Sequence, residues 1–206
     1  ADGYNVAVGY NAGQQVTTGI SNTLIGGNAG DALTTGSDNV AVGLAALGSE
    51  DEHGRNVAIG RSALESQNAG ADGYNVAVGY NAGVFVSTGT LNTIVGGLAG
   101  DALTTGTSNT VLGYGALSTE DTGSRAVAIG YKALLSQNYD GSSYNIGIGY
   151  EAGQAITTGI QNTILGGLAG DALMTGSYNI AIGFAALTTE DTGSKNVAIG
   201  RNALYS

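Results

Sequence analysis

The chain has 206 residues, 37 of them Gly, with no Pro, Cys or Trp and a single His (His53) and Met (Met174). This composition excludes a disulfide framework, a thiolate metal site, a Cys nucleophile and a multi-His metal cage. No apolar run reaches the ~20 residues of a membrane helix, and a net charge of -10 argues against nucleic acid and anionic membranes as partners.

The first element is Asn5-Val-Ala-Val-Gly9, a short β-branched run bounded by turn residues, which reads as a strand. The same pattern returns at Asn22, Asn39 and Asn56, each 17 residues on, and at Asn75 after 19. A second short strand is expected at Gln15–Thr18, Ala32–Thr35 and their equivalents. The stretch Ala1–Gly13 recurs unchanged at Ala71–Gly83, with a relative at Ser143–Gly153. Three long units follow, 1–70, 71–140 and 141–206, the third four residues short. The opening Ala-Asp-Gly has no initiator Met and no signal-peptide pattern, so the chain reads as a processed product or a piece of something longer.

The whole chain is twelve copies of Asn-[Val/Ile/Thr]-x-[Val/Ile/Leu]-Gly-x-x-Ala-[Gly/Leu]. Gly and Ala fill their slots every time, and Asn fails only at Ala126. The residue after the fixed Ala is Gly in the first two repeats of each unit (Gly13, Gly30) and Leu in the last two (Leu47, Leu64). Seventeen residues are too few for a helical pair or a propeller blade. Each repeat is therefore one coil of an all-β parallel β-solenoid, twelve coils of 17–19 residues in one continuous domain. At ~4.8 Å per coil the rod is about 55–60 Å long. The fixed Gly suits a corner needing positive φ or close backbone approach, Asn suits an amide ladder along the axis, and Ala suits a narrow interior.

Three consecutive apolar residues, as in Val57-Ala58-Ile59, imply burial on both faces of the strand. The coil interior covers one face. The other forms an apolar stripe along the rod, which points to self-association, most simply a homotrimer.

The repeat Asn-Val-Ala-Ile-Gly-x-x-Ala, at Asn56–Ala63 and Asn196–Ala203, resembles the head repeat of trimeric autotransporter adhesins of the YadA type. It is more similar still to bacteriophage tail-fibre and tailspike repeats, in which Asn-x-Ala-Ile-Gly-Tyr-x-Ala-Leu blocks alternate with Thr-Thr-Gly-Ser. The equivalents are Asn145–Ala152 and Thr34–Ser37. The resemblance covers essentially the whole chain. It implies a trimer of left-handed β-rolls acting as a rigid shaft on a virion or cell surface, with host glycan or protein as a further partner. The adhesin repeat is usually shorter than 17–19 residues, so longer loops are expected here. A bacterial adhesin head and an ice-binding solenoid are the alternative functions.

No residue is assigned to catalysis, a cofactor or a metal. His53, in Glu50-Asp51-Glu52-His53-Gly54, superficially resembles an acid–base cluster, but Gly123 and Gly193 replace it in the other units. The acidic loops, which recur as Glu120-Asp121 and Glu190-Asp191, suit Ca²⁺ only if carbonyls converge on them. Surface pairing with Arg55, Arg125 and Lys195 is the simpler reading. Asp31, Asp101 and Asp171 are expected to shape turns. Tyrosines after the fixed Gly (Tyr10, Tyr80, Tyr114, Tyr131, Tyr150) and before Asn (Tyr4, Tyr74, Tyr144, Tyr178) are expected to pack at corners or a protomer seam, with glycan stacking as the functional alternative. Thr pairs (Thr17-Thr18, Thr34-Thr35, Thr104-Thr105, Thr157-Thr158) are what an ice-binding face would use, yet the series breaks at Glu50-Asp51 and Ser66-Gln67.

Overall fold

A computed structural model describes residues 3–205; Ala1 and Asp2 of the first repeat block lie outside the described residues, as does Ser206. Twelve three-residue strands, β1 (Val6–Val8) to β12 (Val197–Ile199), fall one per coil at the expected places. All pair in parallel and in sequence order, and neighbouring rungs sit in register, as with Val40↔Val57 and Val42↔Ile59. The β-solenoid expected from the repeat is thus the fold, and among the described residues there is no helix.

From β2 (Thr23–Ile25) onward the middle residue of each strand is buried, and the first and third are half-buried or exposed. Ala41, Ala77 and Val111 are buried, whereas Leu112 and Leu165 keep 46% and 42% of their surface exposed. The three apolar residues therefore divide two faces between them, as the sequence requires. The third-position column, from Val8 to Ile199, is aliphatic in all twelve coils.

The expected second strand does not form. Gln15–Thr18 and Ala32–Thr35 are turns and bends. The N–H groups of Thr17, Thr18 and Gly19 converge on one carbonyl, Thr34 O, at 2.9, 3.3 and 3.2 Å. Three donors on one acceptor leave no alternating ladder, so the segment stacks on the next coil without becoming sheet.

The fixed Gly holds both properties expected of it. Gly9 has φ +137°, and a Cβ there would lie 2.4 Å from Gly26 O of the next coil. Left-handed backbone extends further than the fixed Gly alone. The residue before each Asn (Tyr4, Ser21, Asp38, Arg55 and so on) has positive φ in every coil, as do Leu47 and Leu64. Such conformations cost about 1–2 kcal/mol in a non-Gly residue. Most are held by bonds to the adjoining coil, such as Ser21 N to Gly3 O (2.8 Å) and Leu47 N to Ala63 O (3.0 Å).

The Gly/Leu alternation has a packing cause. A Cβ on Gly30 would meet Leu24 Cδ2 and Leu33 Cδ1, both at 2.8 Å. In such coils the interior corner is filled by the residue three positions later: Val16, Leu33, Val86, Leu103, Ile156 or Leu173. Where Leu follows the Ala, as at Leu47 and Leu117, that Leu fills the corner itself. The residue three positions later is then Glu50, Gln67, Glu120, Gln137 or Glu190. One branched aliphatic side chain per coil is what the space accepts.

Candidate functional site: the aromatic column, the threonine column and the buried carboxyls

The Asn ladder runs inside the rod. Asn92 Nδ2 donates to Gly106 O (2.9 Å), and Asn92 Oδ1 accepts from the N–H of Asn109 (2.9 Å). The amides bond mainly to backbone, clamping one coil to the next. Direct Asn–Asn amide bonds within the ladder occur, among the described residues, at Asn162 to Asn145 (3.2 Å) and Asn179 to Asn162 (3.1 Å).

The residues after the fixed Gly form an exterior column. Tyr114, Tyr131 and Tyr150 stack in it, with ring centroids 5.8 and 5.3 Å apart and planes within 12°. Lys132 lies over the Tyr131 ring at 5.2 Å, and Arg201 over Phe184 at 5.9 Å. In the column before Asn, Arg55 covers Tyr74 at 5.6 Å and Arg125 covers Tyr144 at 5.7 Å. A sugar stacks on an open aromatic face; the rings just named meet other rings or cations, whereas Tyr4, Tyr10, Tyr80 and Tyr178 stay more than half exposed.

Threonines form a column on the bends. Thr17, Thr34, Thr104 and Thr157 donate their hydroxyls to the carbonyls of Thr34, Asp51, Asp121 and Met174 in the next coil, at 2.9–3.1 Å. Hydroxyls used along the axis, on a segment that is not a strand, do not make a flat hydroxyl array. The column is interrupted at Asp51, Asp121 and Asp191, as the sequence indicated.

The acidic loops differ most from expectation. Glu50 and Glu120 are fully buried and do not pair with Arg55 or Arg125 on the surface. Arg55 pairs instead with Asp72 of the longer fourth coil, and Arg125 donates to Ser142, the residue at the same place one unit later. Glu120 accepts from the N–H of Gly123 (2.8 Å), from Gln137 Nε2 (3.0 Å) and from the N–H of Tyr139 (3.2 Å). Gln137 Oε1 in turn accepts from Asn145 Nδ2 (2.9 Å), which joins the carboxyl to the Asn ladder. Burial pushes the carboxyls of Glu50 and Glu120 above the usual range, against the lowering effect of these hydrogen bonds. Asp101 and Asp171 are also raised by burial, while the backbone N–H groups of their own turns pull the other way. The Gln67 and Gln137 positions were missed by sequence reasoning, although their three-residue offset from Leu64 and Leu134 carried the signal.

Glu50, Asp51 and His53 form one close cluster. No protein-family model matches the chain, and neither does any curated protein or solved structure.

Proposed function

We propose that the chain is a non-enzymatic structural segment, the rigid shaft of a phage tail fibre or comparable surface fibre, in which three copies associate side by side. The observation that carries this reading is the third-position column of the strands. Twelve aliphatic residues in line, with Leu112 and Leu165 nearly half exposed, make a continuous apolar ridge on the outside of one chain. A ridge of that length exceeds what a soluble monomer leaves in water. Copies of the same chain share its pitch and register, so like ridges match rung for rung. The axial bonding of every coil to the next supplies the stiffness a shaft needs.

Attachment to host glycan or protein is a secondary role of such a fibre, and an adhesin head would use the same scaffold. Ice binding fits less well, because the Thr hydroxyls are spent on the neighbouring coil.

The test is the native mass by light scattering. Three times the 20.3 kDa of one chain supports the shaft. A mass of one chain overturns the association. Leu112→Lys, placed on the ridge, is expected to lower the mass to that of the single chain while leaving the β spectrum unchanged.

A further inference from the structure

The third coil carries a metal-ligating side chain that its counterparts lack. His53 stands where the second and third units have Gly123 and Gly193. Its Nδ1 lies 3.6 Å from Glu50 Oε1, and one ligand atom from each of Glu50, Asp51 and His53 falls within 4.8 Å of the others. The Glu50 side chain is fully buried, and that of His53 is 26% exposed.

The hydrogen bonding at this cluster is incomplete. Among the described residues, Glu50 Oε2 and His53 Nδ1 are buried without a hydrogen-bond partner. At Glu120, one unit on, both oxygens are bonded, to Gly123, Gln137 and Tyr139. At Glu50 only the N–H of His53 is bonded, to Oε1 at 3.1 Å, and the backbone of Ala69, which corresponds to Tyr139, faces the carboxyl without closing on it. Buried polar atoms are nearly always satisfied, so an imidazole Nδ1 left open 3.6 Å from Oε1 of a carboxylate whose other oxygen is also open calls for an occupant.

We propose that Glu50, Asp51 and His53 bind one divalent transition-metal ion of the Zn²⁺ type. Two carboxylates and an imidazole form a mixed nitrogen–oxygen set, which suits Zn²⁺ rather than the all-oxygen shells of Ca²⁺ or Mg²⁺. With metal–ligand bonds of about 2.0–2.2 Å, two ligand atoms on one ion stand at most about 4.4 Å apart. The His53–Glu50 separation already meets that limit; Asp51 Oδ1 accepts from the N–H of Glu52 (2.6 Å), so Asp51 joins the ion through its other oxygen or by giving up that bond. The ion's charge offsets the cost of keeping Glu50 ionised where water is excluded. The partly exposed His53 ring leaves an entry path and room for water in the remaining coordination positions.

A competing arrangement is defined by Gln67. Its Nε2 is also buried without a partner, and its counterpart Gln137 bonds Glu120. A small rotation pairs Gln67 with Glu50 and fills the carboxyl without an ion, leaving His53 Nδ1 open.

The two are separable because His53 is the sole His, so its ring nitrogens give unambiguous NMR signals. Zn²⁺ titrated into the 206-residue chain at neutral pH is expected to bind once per chain, to shift the Nδ1 resonance and to raise the thermal midpoint. His53→Gly recreates the residue of the other two units, so it is expected to fold normally and to lose the stoichiometric binding and the thermal shift. An Nδ1 resonance unmoved by Zn²⁺, or undiminished binding in His53→Gly, would overturn the proposal.

Discussion

The hydroxyl of Ser143 lies 3.4 Å from the backbone N–H of Asn145, in the space that the Asn56 side chain occupies beside Gly73 one unit earlier. At Gly73 a Cβ would stand 2.2 Å from Asn56 Oδ1. In the second unit the ladder residue is Ala126, and the vacated space admits Ser143, whose hydroxyl also accepts from Gln137 Nε2 (3.2 Å). The one interruption of the Asn series is therefore repaired by a side chain seventeen residues downstream.

That pairing predicts a strong coupling. Ala126→Asn alone is expected to destabilise the chain by about 1–3 kcal/mol, because the new amide meets Ser143. Ala126→Asn with Ser143→Gly recreates the Asn56–Gly73 pair and is expected to recover most of the loss. Chemical denaturation of the four members of the cycle measures the coupling, and additive effects would refute the exchange.

The ladder is not uniform in strength. Asn92→Ala removes a bond to Gly106 O and leaves the buried N–H of Asn109 without its acceptor, a loss of about 2–3 kcal/mol. Asn56 sits in a longer coil, and its Nδ2 has no partner among the described residues. Asn56→Ala is expected to cost about 1 kcal/mol less than Asn92→Ala. Equal midpoints in urea for the two variants would contradict this.

Two glycines with left-handed backbone should respond very differently to Ala. A Cβ on Gly113 (φ +137°) would stand 2.3 Å from Gly130 O and 2.6 Å from Gly130 C, backbone of the adjoining coil that cannot swing aside as a side chain can. Gly113→Ala is expected to cost more than about 4 kcal/mol. Gly70 (φ +67°) has nothing within 4 Å, so Gly70→Ala bears only the conformational cost of about 1–2 kcal/mol. Thermal melts of both variants distinguish steric clash from backbone preference.

Acid should strengthen this protein over the carboxylate range. The carboxyls of Glu50, Glu120, Asp101 and Asp171 all lie above their ordinary values of 4.5 and 3.8, with burial as the main cause. The folded chain thus holds more protons than the unfolded chain from just below those values up to the raised ones. The contribution of these four groups is full below pH 3.8, is lost as pH rises through their raised values, and is absent above them. Relief of the repulsion behind a net charge of -10 adds in the same direction. The melting temperature is expected to be higher near pH 4 than at pH 7, and Asp101→Asn to raise it at pH 7 while leaving it nearly unchanged near pH 4.

How far the sequence reaches depends on which residues carry the information. The strands, their register and the fixed Gly were legible because a 17-residue period repeats one constraint twelve times. The second strand at Gln15–Thr18 was misread because β-branched residues there suit a strand, while the convergence of three N–H groups on Thr34 O depends on a neighbouring coil. Glu50 and Glu120 look like surface acids in a loop with Asp, Thr and Gly. Their burial follows from the Leu three residues earlier, which takes the corner and turns the later side chain toward the Gln and Asn column. Arg55 was paired with the wrong acid for the same reason: Asp72 is distant along the chain and adjacent across the coils.

Strand order follows chain order without a single crossover, and each strand touches only the strands before and after it. Thirteen residues at 71–83 repeat those at 1–13 letter for letter. Unequal exchange between gene segments encoding such stretches adds or removes one whole unit and leaves every remaining interface intact. Length then becomes a heritable quantity that changes in steps of four coils, about 19 Å each, with no intermediate sizes and no refolding problem to solve.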